Sequence, residues 1–187
     1  MDGAKLQECL LEAREGLCLL RGGLDLAAVT RSISRRDFKS EAVLSDALKE
    51  VPVLGFDFVL IDTAPSFGPL NVNAFFFASE IVVPASLEGL TLHGLKDFLA
   101  SVATIQEHRP ELQVSHVVPT RYDQRLKASG EVLGQLRAAF GDKVASPIRT
   151  SSRLLEAAPL GKTIFEYAPA SPGAQDYETL VDLVLAQ

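Results

Sequence analysis

Four consecutive apolar residues, Phe58 to Ile61, end on an aspartate, Asp62, and this run constrains the fold more than any other stretch of the chain. A short, uninterrupted and largely β-favouring apolar run suits a parallel strand buried on both faces. Similar strand-like runs occur at Leu17 to Leu20, Glu80 to Val83, Val114 to Val118 and Val144 to Ile148. They alternate with helix-like segments, roughly Ser40 to Lys49, Leu70 to Phe77, Leu92 to Gln106, Ser129 to Phe140, Ser151 to Ala158 and Ala174 to Ala186. Strands alternating with helices imply parallel βαβ units, so the expected fold class is α/β, a doubly wound, mostly parallel sheet with helices on both faces. A length of 187 residues, with 47% hydrophobic and 22% charged residues, suits one domain spanning residues 1–187.

A carboxylate at the carboxyl end of a buried strand is a Walker-B arrangement. In P-loop enzymes it holds the Mg²⁺ that bridges the β- and γ-phosphates, at the strand ends where open α/β sheets bind ligands. Taken alone, Asp62 is also explained as a strand-end carboxylate capping a turn, and Pro65 and Gly68 as ordinary turn residues. Longer blocks add context. DTAPSFGPLNVNA (Asp62 to Ala74), EIVVPASLEGLTLHGL (Glu80 to Leu95), VVPTRYDQR (Val117 to Arg125) and RLLEAAPLGKTIFEYAPASPGAQDY (Arg153 to Tyr177) resemble, in order, segments of the ParA family of partitioning ATPases, relatives of the MinD-type cell-division ATPases. REGLCLLRGGLDLAAV (Arg14 to Val29) resembles that family's third strand and the following loop, so the resemblance covers nearly the whole chain.

The resemblance implies a P-loop NTPase-like fold of the SIMIBI type, with ATP and Mg²⁺ as cofactors. It implies non-specific DNA and a ParB-like centromere-binding protein as partners, and a nucleoid-associated place in the cytoplasm. Asp62 falls at the Mg²⁺-water ligand, Ser66 and Gly68 in the switch-like turn, and Thr120 at a base-contacting position. Arg125 and Arg153 fall at positions implicated in DNA binding, with Lys162, Arg121 and Arg149 close by in sequence. There are departures from the pattern. The KGGxGKT-like phosphate loop and the Asp-Pro-Gln-Gly-Asn-like switch of the family do not occur in these 187 residues. Arg149, in Ile-Arg-Thr-Ser, stands where many members have proline. The expectation is therefore a ParA-like domain without the phosphate-loop strand and helix and with little or no ATPase activity of its own. Rearranged pairing within the sheet, a second chain or a self-dimer would fill the vacant place in the sheet, and a homo-oligomer or a full-length homologue is the expected partner. The alternatives are a non-enzymatic shortened relative that regulates a full-length homologue, a fragment of a complete enzyme, and a MinD-like positioning ATPase.

Charge is unevenly distributed. The net charge is −6, yet Arg121 to Lys162 holds eight basic residues against four acidic ones, leaving −10 for the remainder. A local basic face on an acidic protein can bind phosphates through counterion release, although a solvated face with surface ion pairs has the same composition. Gly161-Lys162-Thr163 spells the end of a phosphate loop, but Glu156 occupies the position that needs the first glycine, and Pro159 interrupts the segment before it. Cys9 and Cys18 form neither a disulfide framework nor a CxxC site, and His93, His108 and His116 lack metal-ligand spacing. No apolar run approaches the roughly 18 residues of a membrane span, and the acidic ending YETLVDLVLAQ argues against a membrane-targeting helix.

Overall fold

A computed structural model describes residues 5–23, 26–64, 67–88 and 92–186. The chain divides into two compact units, residues 1–79 with 105–112 and residues 80–104 with 113–187.

In the second unit, β3 (Glu80–Ser86) and β4 (Gln113–Thr120) pair in parallel from Glu80 opposite Gln113 to Ser86 opposite Thr120. Residues 144–150 continue the sheet along the other edge of β4. The Ala145 and Ile148 amides donate to the carbonyls of Val117 and Pro119 at 2.9 and 2.8 Å, and parallel bridges join Val117 to Val144 and Tyr122 to Arg149. β4 is thus hydrogen-bonded on both edges, and its residues His116 to Pro119 are all buried, the pattern of a central parallel strand. On β3 the burial alternates, with Ile81, Val83 and Ala85 inward. Helices α5 (Leu92–Gln106, of which residues 92–104 belong to this unit), α6 (Lys127–Phe140), α7 (Ser152–Ala157), α8 (Ile164–Tyr167) and α9 (Pro172–Leu185) complete the α/β architecture. Tyr177 and Leu180 of α9 and Leu154 of α7 pack on a core of Val118, Ala145 and Ile148. The expected strand over Val144 to Ile148 is an extended segment held by bridges, because Pro147 has no amide with which to complete a ladder.

The first unit departs from the expected parallel pattern in two places. The strand expected at Leu17 to Leu20 is present as β2 (Leu17–Leu20), but it pairs antiparallel with β1 (Leu10–Arg14) across a two-residue turn in which Gly16 takes φ +71°. Glycine enters that left-handed conformation without the steric cost a Cβ would bring. α1 (Leu6–Cys9) precedes the hairpin. The second departure is the run Phe58 to Ile61. It forms no strand, and Phe58 and Leu60 are 57% and 89% exposed. A parallel strand is buried only when neighbours supply both its hydrogen-bonded edges and its covering faces, and no other strand pairs with this run among the described residues.

Helices α2 (Leu26–Ser34), α3 (Val43–Ala47) and α4 (Pro69–Phe77) form the body of the unit around buried Ile33, Val43, Ala74 and Phe75. α4 begins with Pro69, whose missing amide costs nothing at a first helical position. Its buried Asn73 is a polar staple. The Asn73 side-chain oxygen accepts from the Leu44 amide at 3.1 Å, while its nitrogen donates to the Ser40 and Pro69 carbonyls at 2.8 and 2.9 Å. Replacing Asn73 by alanine leaves these buried backbone groups without their partner, and such groups cost about 1–3 kcal/mol when orphaned. Asn73→Ala is expected to destabilise the first unit by about 2 kcal/mol, seen as a lowered urea midpoint with an unchanged slope.

Candidate functional site

The residues singled out in the sequence fall into two groups, one in each unit. In the first unit, Asp62 is exposed and lies outside any helix or strand, ahead of α4 in sequence. Two residues beyond it, the Ala64 carbonyl accepts a 2.8 Å hydrogen bond from the buried side chain of Asn71 on α4, so the path of the chain leaving Asp62 is tied to a helix. Gly68 is the residue before α4, extended at φ −131°, and its carbonyl accepts from the Val72 amide at 3.0 Å. Gly68 also lines an open groove of about 350 Å³ with Ile33, Glu41, Phe67 and Asn73. Ser66 lies outside the described residues. The sequence reading missed Asn71 and Asn73; two asparagines in an otherwise apolar helix were the available signal.

In the second unit, the turn after β4 and the segment after Ile148 lie side by side. The Tyr122 amide donates to the Ile148 carbonyl at 3.0 Å and the Thr150 amide to the Tyr122 carbonyl at 3.0 Å. The loop that carries Arg121 and Arg125 thus runs beside the segment that carries Arg149, through a bridge between Tyr122 and Arg149, and Arg153 follows in the first turn of α7. Thr120 ends β4, half-buried, and its carbonyl accepts from the Leu87 amide at 2.9 Å. All of these lie at the carboxyl ends of parallel strands, the edge where open α/β sheets bind ligands. Arg121 adopts φ +53°, a left-handed conformation uncommon for a residue with a Cβ.

Each of the four arginines has a carboxylate partner. Arg121 reaches Glu88 at 3.1 Å, and Arg153 reaches Glu156 at 2.8 Å. The Tyr167 hydroxyl also donates to Glu156 at 2.8 Å and, with Arg153, holds that carboxyl below the usual range. Arg125 grips Asp123 through Nε at 3.0 Å and a terminal nitrogen at 2.8 Å, and its backbone amide adds a third bond at 3.0 Å. These side-chain and backbone hydrogen bonds pull the Asp123 carboxyl down to about 2. Arg149 is different in kind. Its guanidinium binds both oxygens of Asp176 on α9, the closest approach being 2.6 Å, and also donates to the Pro172 carbonyl at 3.1 Å. Burial pushes the Asp176 carboxyl up, but the hydrogen bonds from Arg149 outweigh it and leave it below its ordinary value. Arg149 therefore clamps α9 to the end of the sheet. The spacings R-x-D-x-R and R-x-x-E showed two of these acids nearby; nothing local announced Asp176, which is 27 positions from Arg149.

Gly161, Lys162 and Thr163 form a helix connection. Gly161 takes φ +64° after a 3-10 turn, the exposed Lys162 donates its amide to the Ala157 carbonyl at 3.2 Å, and Thr163 caps α8 in a capping box with Glu166. No strand leads into this connection, so it lacks the context of a phosphate loop. Among the described residues no group of three or more His, Cys, Asp or Glu side chains could hold a metal ion, and no helix is long and apolar enough to cross a membrane.

A parallel sheet whose carboxyl-end loops gather the polar residues defines the α/β class to which P-loop nucleotide-binding proteins belong. The crystal structure of cobyrinic acid a,c-diamide synthase from Mycobacterium smegmatis with bound ADP and magnesium is similar, with a TM-score of 0.78 at 28% identity, covering 97% of this chain and 67% of that one. A family model described as an AAA domain matches residues 1–114. The chromosome-partitioning ATPase Soj of Thermus thermophilus is 36% identical over 182 residues, 96% of this chain and 70% of the relative. The chromosome partitioning protein ParA of Caulobacter vibrioides is 33% identical over 178 residues, 92% of this chain and 65% of the relative. The chain belongs to the ParA family of partitioning ATPases. It spans about two thirds of the length of these two relatives.

The Asp123 carboxyl gives a pH test of the arginine turn. Its folded value, about 2, is below the ordinary aspartate value near 3.9, so the Arg125 tether favours the folded turn above about pH 4 and is lost as pH falls through about 2. A carbon-detected NMR titration of Asp123 is expected to report that low value, and Arg125→Ala to return it to the ordinary range.

Proposed function

We propose that this chain is a partitioning protein that binds DNA without sequence preference through the carboxyl edge of its second unit. The observation that supports the reading is that the loop carrying Arg121 and Arg125 runs beside the segment carrying Arg149 and Arg153, within the stretch that is basic in an otherwise acidic chain. Arg125 and Arg153 are exposed and each pairs with a nearby acid, so a backbone phosphate can take the place of Asp123 or Glu156. Arg149 contributes by holding the edge together, since its fork is engaged with Asp176. Lys162 supplies a further exposed charge. The DNA-bound protein answers to a ParB-like centromere-binding partner, as the family relationship supports.

Nucleotide and Mg²⁺ enter the reading through relatives. In this chain the fit is incomplete. Asp62 offers one exposed carboxylate, whereas Mg²⁺ requires near-octahedral oxygen coordination completed by phosphates that other groups hold.

Gel-shift titrations over a range of salt concentrations test the DNA face. Unrelated duplexes should bind alike, and the double change Arg125→Ala and Arg153→Ala should lower the salt slope by roughly two, about one unit for each lost phosphate contact. Adding Mg-ATP should leave the affinity unchanged. An unchanged slope in the double variant, or no binding at low salt by the parent chain, would overturn the reading.

Assembly belongs to the same proposal. The uncovered run from Phe58 to Ile61 favours a second copy of the chain or a longer homologue against it, because apolar surface of this kind is ordinarily covered. Light scattering over a concentration series is expected to show a dimer or larger species, and a monomer at the highest concentration would refute it.

A further inference from the structure

On the second unit, an open groove of about 420 Å³ runs between the segment 144–146 and the carboxyl half of α9. Its apolar lining comes from Val144, Ala145, Leu180 and Leu183, and two carboxylates, Asp142 and Asp182, join that lining. Neither carboxylate has an ion-pair partner among the described residues, in contrast to Asp123, Glu156 and Asp176, which are all held by arginines. We infer that this groove is a docking site for a partner-protein segment that presents a lysine or arginine beside an aliphatic side chain.

Charge complementarity selects that occupant. From Pro172 to Gln187 the chain carries Asp176, Glu178 and Asp182 and no basic residue, and Glu178 precedes Asp182 by one helical turn, on the same side of α9. Lys143, between Asp142 and Val144 in sequence, is not among the lining residues. Asp142 is positioned by a 3-10 turn over Gly141–Lys143, entered through Gly141 at φ +56°, a conformation that favours glycine. Both carboxylates are exposed, so each attracts a docked cation as a partly screened surface charge, and the apolar lining receives the aliphatic part of the partner.

The edge of the sheet decides how the partner docks. The Ala145 and Ile148 amides are engaged with β4, and Pro147 has no amide, so the outer edge of this segment offers too few donors to accept an added strand. The partner therefore docks through side chains lowered into the groove. This site lies apart from the arginine loops and does not rest on the DNA reading.

A short fluorescein-labelled peptide of lysine, leucine and glycine, and a twin with glutamate in place of lysine, test the inference by fluorescence anisotropy with the full chain. The lysine peptide is expected to bind saturably and the glutamate twin to fail. The pair Asp142→Asn and Asp182→Asn should weaken the lysine peptide about tenfold, as two partly screened charge contacts allow. Leu183→Asn should weaken it while leaving its salt dependence intact. The control pair Glu8→Gln and Glu12→Gln, in the first unit, makes the same change in net charge and should leave the affinity as it was. Equal weakening by both pairs would reduce the effect to overall charge and overturn the site. Binding of the glutamate twin, or no effect of the groove substitutions, would also overturn it. Self-association of the chain that disappears in the Asp142→Asn, Asp182→Asn variant, without lysine-peptide binding by the parent, would assign the groove to a second copy and likewise overturn it.

Discussion

The second unit depends on β4 being hydrogen-bonded along both edges. β3 takes one side and the extended segment 144–150 the other, and the stretch of β4 from His116 to Pro119 is buried on both faces. Parallel pairing places the loops after neighbouring strands at one edge of the sheet. Thr120, the Arg121 to Arg125 turn and the Arg149 to Arg153 segment meet there because these strands share a direction. The sheet therefore acts as the device that converts residues far apart in sequence into one polar edge.

Electrostatics then sorts the residues of that edge. The fork of Arg149 closes on a carboxylate of α9 that is only 12% exposed, so its bonds join two elements and organise the unit. Arg125, 88% exposed, closes on its neighbour Asp123, and such a pair is held in place mainly by local geometry. The same residue type thus has two uses. A clamp is expensive to break because it leaves a partly buried carboxylate alone, whereas an exposed pair can exchange its acid for another anion with little rearrangement.

The first unit shows what a strand-forming run does without strands beside it. Phe58 to Ile61 has the residue types of a central parallel strand and lacks ladder partners, so its side chains stay exposed and Asp62 follows in an open segment. What does hold that region is polar: Asn71 ties Ala64 to α4, and Asn73 ties α4 to the backbone at Ser40 and Leu44. A buried asparagine bonded through both its oxygen and its nitrogen, as Asn73 is, imposes a particular packing angle that apolar contacts alone would not specify.

Features governed by local chemistry were legible in the sequence. The helix from Leu92 to Gln106 has the expected bounds, β3 and β4 contain the expected strands, and the α/β class followed from their alternation, because apolar patterning acts over a few residues. The glycine, lysine and threonine at 161–163 were likewise separable from a phosphate loop by their context. Pairing was not legible. The antiparallel direction of the Leu17 to Leu20 strand, the lack of a ladder at Phe58 to Ile61 and the Asp176 partner of Arg149 all depend on which distant segment lies alongside. The sequence by itself determined the kinds of element and the chemistry they carry. Only the tertiary structure decided which edges are filled and which charges are engaged, because hydrogen-bond edges and ion pairs are completed by residues whose proximity no local pattern encodes.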